Sequence, residues 1–206
     1  MSIATDLQTI AENVPLVHKA GKDAYLKEFW ENFQEHGNRD NYAYAFYRWD
    51  EDIYNPIYDI VTDDATYLYS YSTITDTRVN ITVTAATIGA MFYMATKLKT
   101  IKNLIFTSDT NFTTPTFNQA ISLENITMSG EGKIVSSFSM QYSKLLTADS
   151  IKSIIEQLKI TTGTDMEGKY KMTLSSECWQ RIEATPPPTG YESWKEYVIL
   201  NKGWNV

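Results

Sequence analysis

One pattern of four side chains occurs twice in the sequence and limits what the chain can fold into. An aromatic residue is followed, at intervals of three, by a small residue, a leucine and an isoleucine. The two copies are Phe92, Ala95, Leu98 and Ile101 and, 25 positions later, Phe117, Ala120, Leu123 and Ile126. A unit of this length cannot bury its apolar side alone, so a repeat with this period requires neighbouring units to stack.

Weaker copies flank these two. Alignment on the aromatic position adds Tyr69 and Phe138, which gives four units with spacings of 23, 25 and 21 residues. Three units contain a short run that favours β-structure: VNITV from residue 79, LIF from 104 and ITM from 126. We predict one strand and one compact turn per unit, with Phe92, Phe117 and Phe138 stacked in the core. The position of LIF also predicts a three-residue insertion between units.

The N-terminal region has a helical pattern. Across GKDAYLKEFWENFQEHG, Tyr25, Phe29 and Phe33 recur every four positions and form one aromatic face, and Gly37 ends the helix. The preceding TDLQTIAENV is typical of a shorter helix that stops at Pro15. The aromatic face favours packing against the next layer over a partner-binding groove.

The C-terminal region alternates helices with a strand. LTADSIKSIIEQL has aliphatic side chains at helical spacing, with Thr147 or Asp149 near its N-cap. KYKMTLS alternates as a strand, and SECWQRI and YESWKEYVILNKG are typical of two further helices, closed by Gly203. The expected class is α+β. It divides into N-terminal helices and an aromatic region (1–60), a β-solenoid-like repeat centre (61–146) and a C-terminal α/β cap (147–206), all in one continuous folded unit.

The charge is unevenly distributed along the chain. The net charge is −7, and residues 1–60 hold 11 acidic and 5 basic side chains, against 14 and 13 in residues 61–206. An acidic first third without a Lys/Arg cluster argues against nucleic-acid binding, which requires a basic surface for the phosphates. The apolar run at 85–95 is too short to cross a membrane. MSIATDLQTI lacks the regions of a secretory signal, so we predict neither a signal peptide nor a transmembrane segment.

A dense group of aromatic residues lies between the N-terminal helices and the repeats. The segment NYAYAFYRWDEDIYNPIY, residues 41–58, matches neither the helical nor the strand template over its length. Tyrosine and tryptophan rings are enriched in protein interfaces. We predict that a partner or a second copy binds here, through Tyr42, Tyr44, Phe46, Tyr47, Trp49 and Tyr54. The alternative is a loop that fastens the helices onto the repeats.

Few residues suggest catalysis or metal binding. His18 and His36 lack the Glu-x-x-His and His-x-x-x-His spacings of metal sites and are typical of solvated helix residues. The single cysteine, Cys178, is expected to be a small buried side chain in a helix. The acidic run 50–52 lacks the arrangement of a calcium loop, and no phosphate-binding loop or G-x-S-x-G elbow occurs. We therefore predict that the protein is not an enzyme and has no catalytic, cofactor-binding or metal-binding residues.

The ladder in FYMATKLKTI and FNQAISLENI resembles the BspA-like class of bacterial leucine-rich repeats. Units of that class have a phenylalanine before a helical or 3₁₀ turn, a small residue or cysteine packed behind it, and Leu or Ile leading into a strand of the concave face. The resemblance covers residues 65–146. It implies a short, degenerate leucine-rich-repeat centre whose incomplete first and last units act as caps.

The layout of the whole chain resembles small repeat proteins encoded among phage and prophage structural genes. This resemblance implies a non-enzymatic virion protein, structural or interacting, in the tail or baseplate or in receptor binding. Such a protein is synthesised in the host bacterial cytoplasm. Its implied partners are other protein subunits, in a homo-oligomer or larger assembly, and a host surface receptor. The alternative is a bacterial BspA-like adhesin or protein-protein interaction module, because repeats of this class are implied to bind host surfaces.

Overall fold

The computed structural model describes residues 59–63, 68–72, 74–113, 115–130 and 132–206. Its strands are β1 (Ile60–Thr62), β2 (Asp76–Val83), β3 (Thr87–Ile88), β4 (Thr100–Phe106), β5 (Asn111–Phe112), β6 (Asn125–Ser129), β7 (Phe138–Ser139) and β8 (Met172–Thr173). Its helices are α1 (Ala148–Glu156), α2 (Ser176–Glu183) and α3 (Trp194–Leu200). Helices and strands are thus mixed, in agreement with the predicted α+β class. The predicted N-terminal helices lie outside the described residues.

Within the described residues, the main sheet has four parallel strands in the order β1-β2-β4-β6. Ile81 of β2 pairs with Ile60 on one side and with Leu104 on the other, and Leu104 pairs with Met128 of β6. All four of these side chains are buried, because alternate residues of each strand face the core. The runs VNITV, LIF and ITM therefore lie in strands, as predicted.

The predicted three-residue insertion is wrong. Ile101 pairs with Ile126, and Leu104 pairs with Met128. Strand β4 therefore has one more residue than β6 over this stretch, which the sheet absorbs as a local bulge. The sequence runs suggested a larger offset because the buried position that Leu104 occupies in β4 belongs to Met128 in β6, at the end of ITM.

Aromatic rings stack behind the sheet from one unit to the next. The rings of Tyr69 and Phe92 lie 5.7 Å apart with an interplanar angle of 9°, and those of Phe92 and Phe117 lie 5.4 Å apart at 12°. The backbone follows the same order, since the Phe92 amide donates to the Thr116 carbonyl at 3.0 Å. The spacing of 23 and 25 residues predicted for these three units is confirmed.

Phe138 does not continue this stack. The side chain is buried, but it does not stack on Phe117. Its ring lies edge-on to the rings of Phe112 and Trp204, with distances of 5.3 Å and 6.2 Å between ring centres. The reason is that Phe138 and Ser139 form β7, which pairs in parallel with β8. The prediction that Phe138 points into the core is confirmed, and its place in the ladder is corrected.

Met140 takes the position that the sequence alignment assigned to Phe138. The amide of Ser143 donates to the Met140 carbonyl at 3.0 Å, just as the amide of Ala120 donates to the Phe117 carbonyl at 3.2 Å. The Ser143 hydroxyl also donates to the Ala120 carbonyl at 3.0 Å. The fourth unit therefore begins at Met140, 23 residues after Phe117, and Ser143 is its small residue.

The turn after each aromatic residue has an unusual backbone conformation. Tyr71, Met94 and Gln119 all have positive φ, at 58°, 57° and 65°. Each stands two positions after the aromatic of its unit. Non-glycine residues adopt this conformation infrequently. The same exception at the same position in three successive units shows that the turns share one geometry.

This geometry leads to a test at Gln119. Gln119→Gly should raise the free energy of unfolding by up to about 1 kcal/mol, because glycine adopts positive φ without steric cost. Gln119→Val should lower it by about 1–2 kcal/mol, because a β-branched residue disfavours this region. Urea denaturation measures both values. Gln141→Gly, at a position without positive φ, is the control and should be destabilising. A stabilising valine at 119 would contradict the conformation.

The C-terminal helices begin at hydroxyl N-caps. Thr147 accepts from the Ser150 amide at the start of α1, as the sequence predicted, and Ser175 accepts from the Cys178 amide at the start of α2. The strand predicted in KYKMTLS is confined to β8, because Ser175 already caps the next helix. Gly203 follows α3 with φ +72°, where a Cβ atom would lie 2.6 Å from the Thr161 hydroxyl.

Candidate interaction surface

The aromatic side chains predicted to bind a partner lie outside the described residues: Tyr42, Tyr44, Phe46, Tyr47, Trp49 and Tyr54. The same holds for His18, His36 and the acidic run 50–52, so the roles assigned to all of them stay predictions. Across the described parts of residues 59–206, no group of three or more His, Cys, Asp and Glu side chains could hold a metal ion. None of the helices described there has the length and apolar character needed to cross a bilayer.

The main sheet presents an outward face of mostly polar side chains. They alternate with the core residues along the strands, except at the bulge of β4, where Lys102 and Asn103 are adjacent, and they are partly or fully exposed. The three longest strands contribute Arg78, Asn80, Thr82, Lys102, Asn103, Ile105, Asn125, Thr127 and Ser129. We call these nine residues the outward face. Neighbouring strands of the sheet lie about 4.8 Å apart, so the polar groups on this face repeat at regular intervals.

Asp59 is fixed at one edge of the outward face. Its carboxylate accepts from the backbone amide and from the side-chain amide of Asn80, both at 2.9 Å. These two hydrogen bonds lower the pKa of Asp59, and the positive charge of Lys102 acts in the same direction. The acceptor is therefore ionised and oriented before any partner arrives.

One row of paired residues crosses all four strands of the sheet on this face. Thr82 pairs with Val61 and with Ile105, and Ile105 pairs with Ser129. The Ser129 hydroxyl donates to the Asn103 side-chain oxygen at 3.3 Å. With Asp59 at its edge, the outward face thus offers hydroxyls, amides and both charge signs, and Ile105 is its one apolar side chain. This composition suits contact with a protein surface.

Cys178 lies in the core. It is fully buried, and its Sγ donates to the Ser143 carbonyl at 3.2 Å. The Ser143 hydroxyl makes the corresponding bond to Ala120, so Cys178 occupies the small-residue position in the next layer. The prediction of a small buried side chain in a helix is confirmed.

An open groove of about 550 Å³ lies beside α2 and is lined by Trp179, Gln180, Lys195 and Val206, among others. The Lys195 ammonium lies 5.3 Å from the centre of the Trp179 ring. Glu183, also in its wall, accepts from the Trp194 and Lys195 amides at 2.9 Å each. That carboxylate therefore serves as a cap for α3.

Lys202 is a buried cation that sequence reasoning did not single out. It is 7% exposed, and its Nζ donates to the carbonyls of Glu156 and Leu158 at 3.3 Å each. Burial lowers the pKa of Lys202, and the charge of Glu156 opposes this shift. The ammonium thereby ties the C-terminal segment to the end of α1. A lysine just after a helix is usually solvated, so the sequence contained no signal for this contact.

In the described part of the chain, three other groups have shifted pKa values. The pKa of Glu177 falls to about 2, because its own backbone amide and then Lys144, Ser175 and Ser176 donate to the carboxylate. Burial raises the pKa of Tyr69, which sits in the aromatic stack, and that of Tyr197 in α3. Hydrogen bonds therefore account for the shift of Glu177, and burial is the main cause of the shifts of the two tyrosines.

No protein-family model matches the sequence, and no curated protein or solved structure gives a significant match.

Proposed function

We propose that the chain is a non-enzymatic protein-protein interaction subunit of a phage virion, acting in the tail or baseplate or in receptor binding. Its repeats would form a short, degenerate leucine-rich-repeat solenoid. The observation that carries this proposal is the outward face, a regular polar surface built by consecutive parallel strands. Stacked repeats commonly bind partners through an extended surface of this kind.

The recurring turn supports the leucine-rich-repeat part of the proposal. In successive units an aromatic residue is followed three positions later by a small buried residue, as in Phe92 with Ala95 and Phe117 with Ala120. The amide of the small residue donates to the carbonyl of the aromatic in both units, at 3.3 and 3.2 Å. This is the arrangement that the resemblance to BspA-like repeats implies.

The rigidity of the outward face supports an interaction role. Asp59, Asn80 and Ser129 are held by hydrogen bonds between neighbouring strands. A partner that binds preorganised groups loses less side-chain entropy than one that must order them. The predicted partner-binding segment, residues 41–58, joins the described chain directly at Asp59, so both candidate surfaces belong to adjacent parts of the sequence.

Mass spectrometry of purified phage particles tests the virion assignment. Particles from the strain that encodes the chain should contain the wild-type protein in a fixed ratio to the other structural subunits. Its absence from the particles would contradict the proposal. Recovery from the bacterial cell surface instead would favour the adhesin alternative.

A charge reversal tests the outward face in the same particles. Lys102→Glu should reduce incorporation at least tenfold, because it places a negative charge in the middle of the face. Lys169→Glu is the matched control, since Lys169 is also an exposed lysine but lies in a turn away from the sheet. Equal incorporation of both folded variants would show that the outward face is not the contact surface.

A further inference from the structure

The main sheet ends at β6, and the edge of this strand needs partners. An uncovered edge strand presents amides and carbonyls that can pair with a strand of another chain. Helix α1 lies against β6, where a fifth strand would otherwise continue the order β1-β2-β4-β6.

Two serine hydroxyls of α1 bind the edge of β6. The Ile126 amide donates to the Ser150 hydroxyl at 2.9 Å, and the Met128 amide donates to the Ser153 hydroxyl at 2.6 Å. The hydroxyls donate in turn to backbone carbonyls, Ser150 to Glu124 at 3.3 Å and Ser153 to Met128 at 3.0 Å. Amides of alternate residues and two carbonyls, the groups that a neighbouring strand would bind, are thus satisfied by side chains.

Packing holds the two hydroxyls in place. Ile151, Ile154 and Ile155 of α1 are fully buried in the core, and Ser150 is 4% exposed. The Thr147 amide also donates to the Glu124 carbonyl at 2.9 Å, which fixes the start of the helix against the strand. The serines therefore face β6 as a consequence of how the apolar side of α1 is buried.

We propose that helix α1, fixed to the strand edge by Ser150 and Ser153, terminates the sheet and prevents a second copy of this chain from adding a strand to β6. A second copy is the matching partner because the strands of this chain already pair in parallel with one another. Addition at this edge would be head-to-tail, and head-to-tail contacts that do not close into a ring build filaments. This role does not depend on the virion assignment.

Amide exchange and sedimentation test the proposal. In ¹⁵N-labelled protein, Ser150→Ala should accelerate exchange of the Ile126 amide at least tenfold, and Ser153→Ala should do the same at Met128. The double variant should form concentration-dependent oligomers larger than any formed by the wild type. Ser153→Thr keeps a hydroxyl and should retain slow exchange at Met128.

Ser136→Ala is the matched control. The Ser136 hydroxyl accepts from the Phe112 amide at 2.7 Å and donates to its carbonyl at 3.1 Å, but it joins two units inside the fold. In Ser136→Ala the Phe112 amide should exchange faster than in the wild type, and the variant should not self-associate. Unchanged exchange at Ile126 and Met128 in the single variants would overturn the proposed contacts. Faster exchange in a double variant that associates no more than the wild type would overturn the blocking role.

Discussion

Phe117→Ala is expected to lower the free energy of unfolding by about 3–5 kcal/mol. The ring is 1% exposed, stacks on Phe92 at 5.4 Å and meets Phe112 edge-on at 5.7 Å. Its removal takes apolar contacts from two units and leaves a cavity that stacked neighbours cannot easily close. Urea denaturation monitored by circular dichroism measures the change in the free energy of unfolding.

Tyr142→Ala is the control for this loss. Tyr142 is an aromatic residue in the turn of the following unit, but 40% of its surface is exposed. Its truncation should cost less than about 1 kcal/mol, because little buried area is lost. A loss below about 1 kcal/mol for Phe117→Ala would mean that the aromatic stack does not form the core.

Trp204→Ala should produce a loss of similar size, about 3–5 kcal/mol. Trp204 is 1% exposed, and its ring packs on those of Phe138 and Tyr170, with 6.2 Å and 5.0 Å between ring centres. Its Nε1 donates to the Lys159 carbonyl at 2.8 Å, so the side chain joins the end of the chain to the residues after α1.

Trp204→Phe separates packing from hydrogen bonding. It keeps an aromatic ring and leaves the Lys159 carbonyl without this donor, which should cost about 1–3 kcal/mol. Urea denaturation compares both variants with the wild type. If Trp204→Ala proved as stable as the wild type, the C-terminal segment could not be docked in the core as described.

The elements best predicted from sequence are those with strong local signals. Helix α1 combines a threonine N-cap with isoleucines at helical spacing, and both features act within a few residues. The stacking of Phe92 on Phe117 was predictable because four positions agree in both copies. Agreement at several positions is much harder to obtain by chance than one shared aromatic residue.

The fourth unit shows where this reasoning failed. Alignment on an aromatic residue selected Phe138, although Met140, Ser143 and Leu146 preserve the offsets of three and six residues. Methionine fills the same buried position because its flexible side chain adapts to irregular space. Agreement of both offsets would have been the better guide.

Other features had no local signal. Strands β3, β5, β7 and β8 are two residues long, too short for an alternating pattern to be recognised. Ser150 and Ser153 read as ordinary polar residues of a helix, because their role depends on the strand beside them. The outward face likewise becomes visible only when the parallel register is known.

Hydrogen-bond scalar couplings measured by NMR test the parallel stacking of the units most directly. Couplings should connect the Tyr69 amide with the Met91 carbonyl, the Phe92 amide with the Thr116 carbonyl, and the Met94 amide with the Asn118 carbonyl. Each pair joins residues 22 to 24 positions apart, from one unit to the next. Detection of all three would support the stacked-repeat fold. Coupling of these amides to carbonyls within their own units would contradict it.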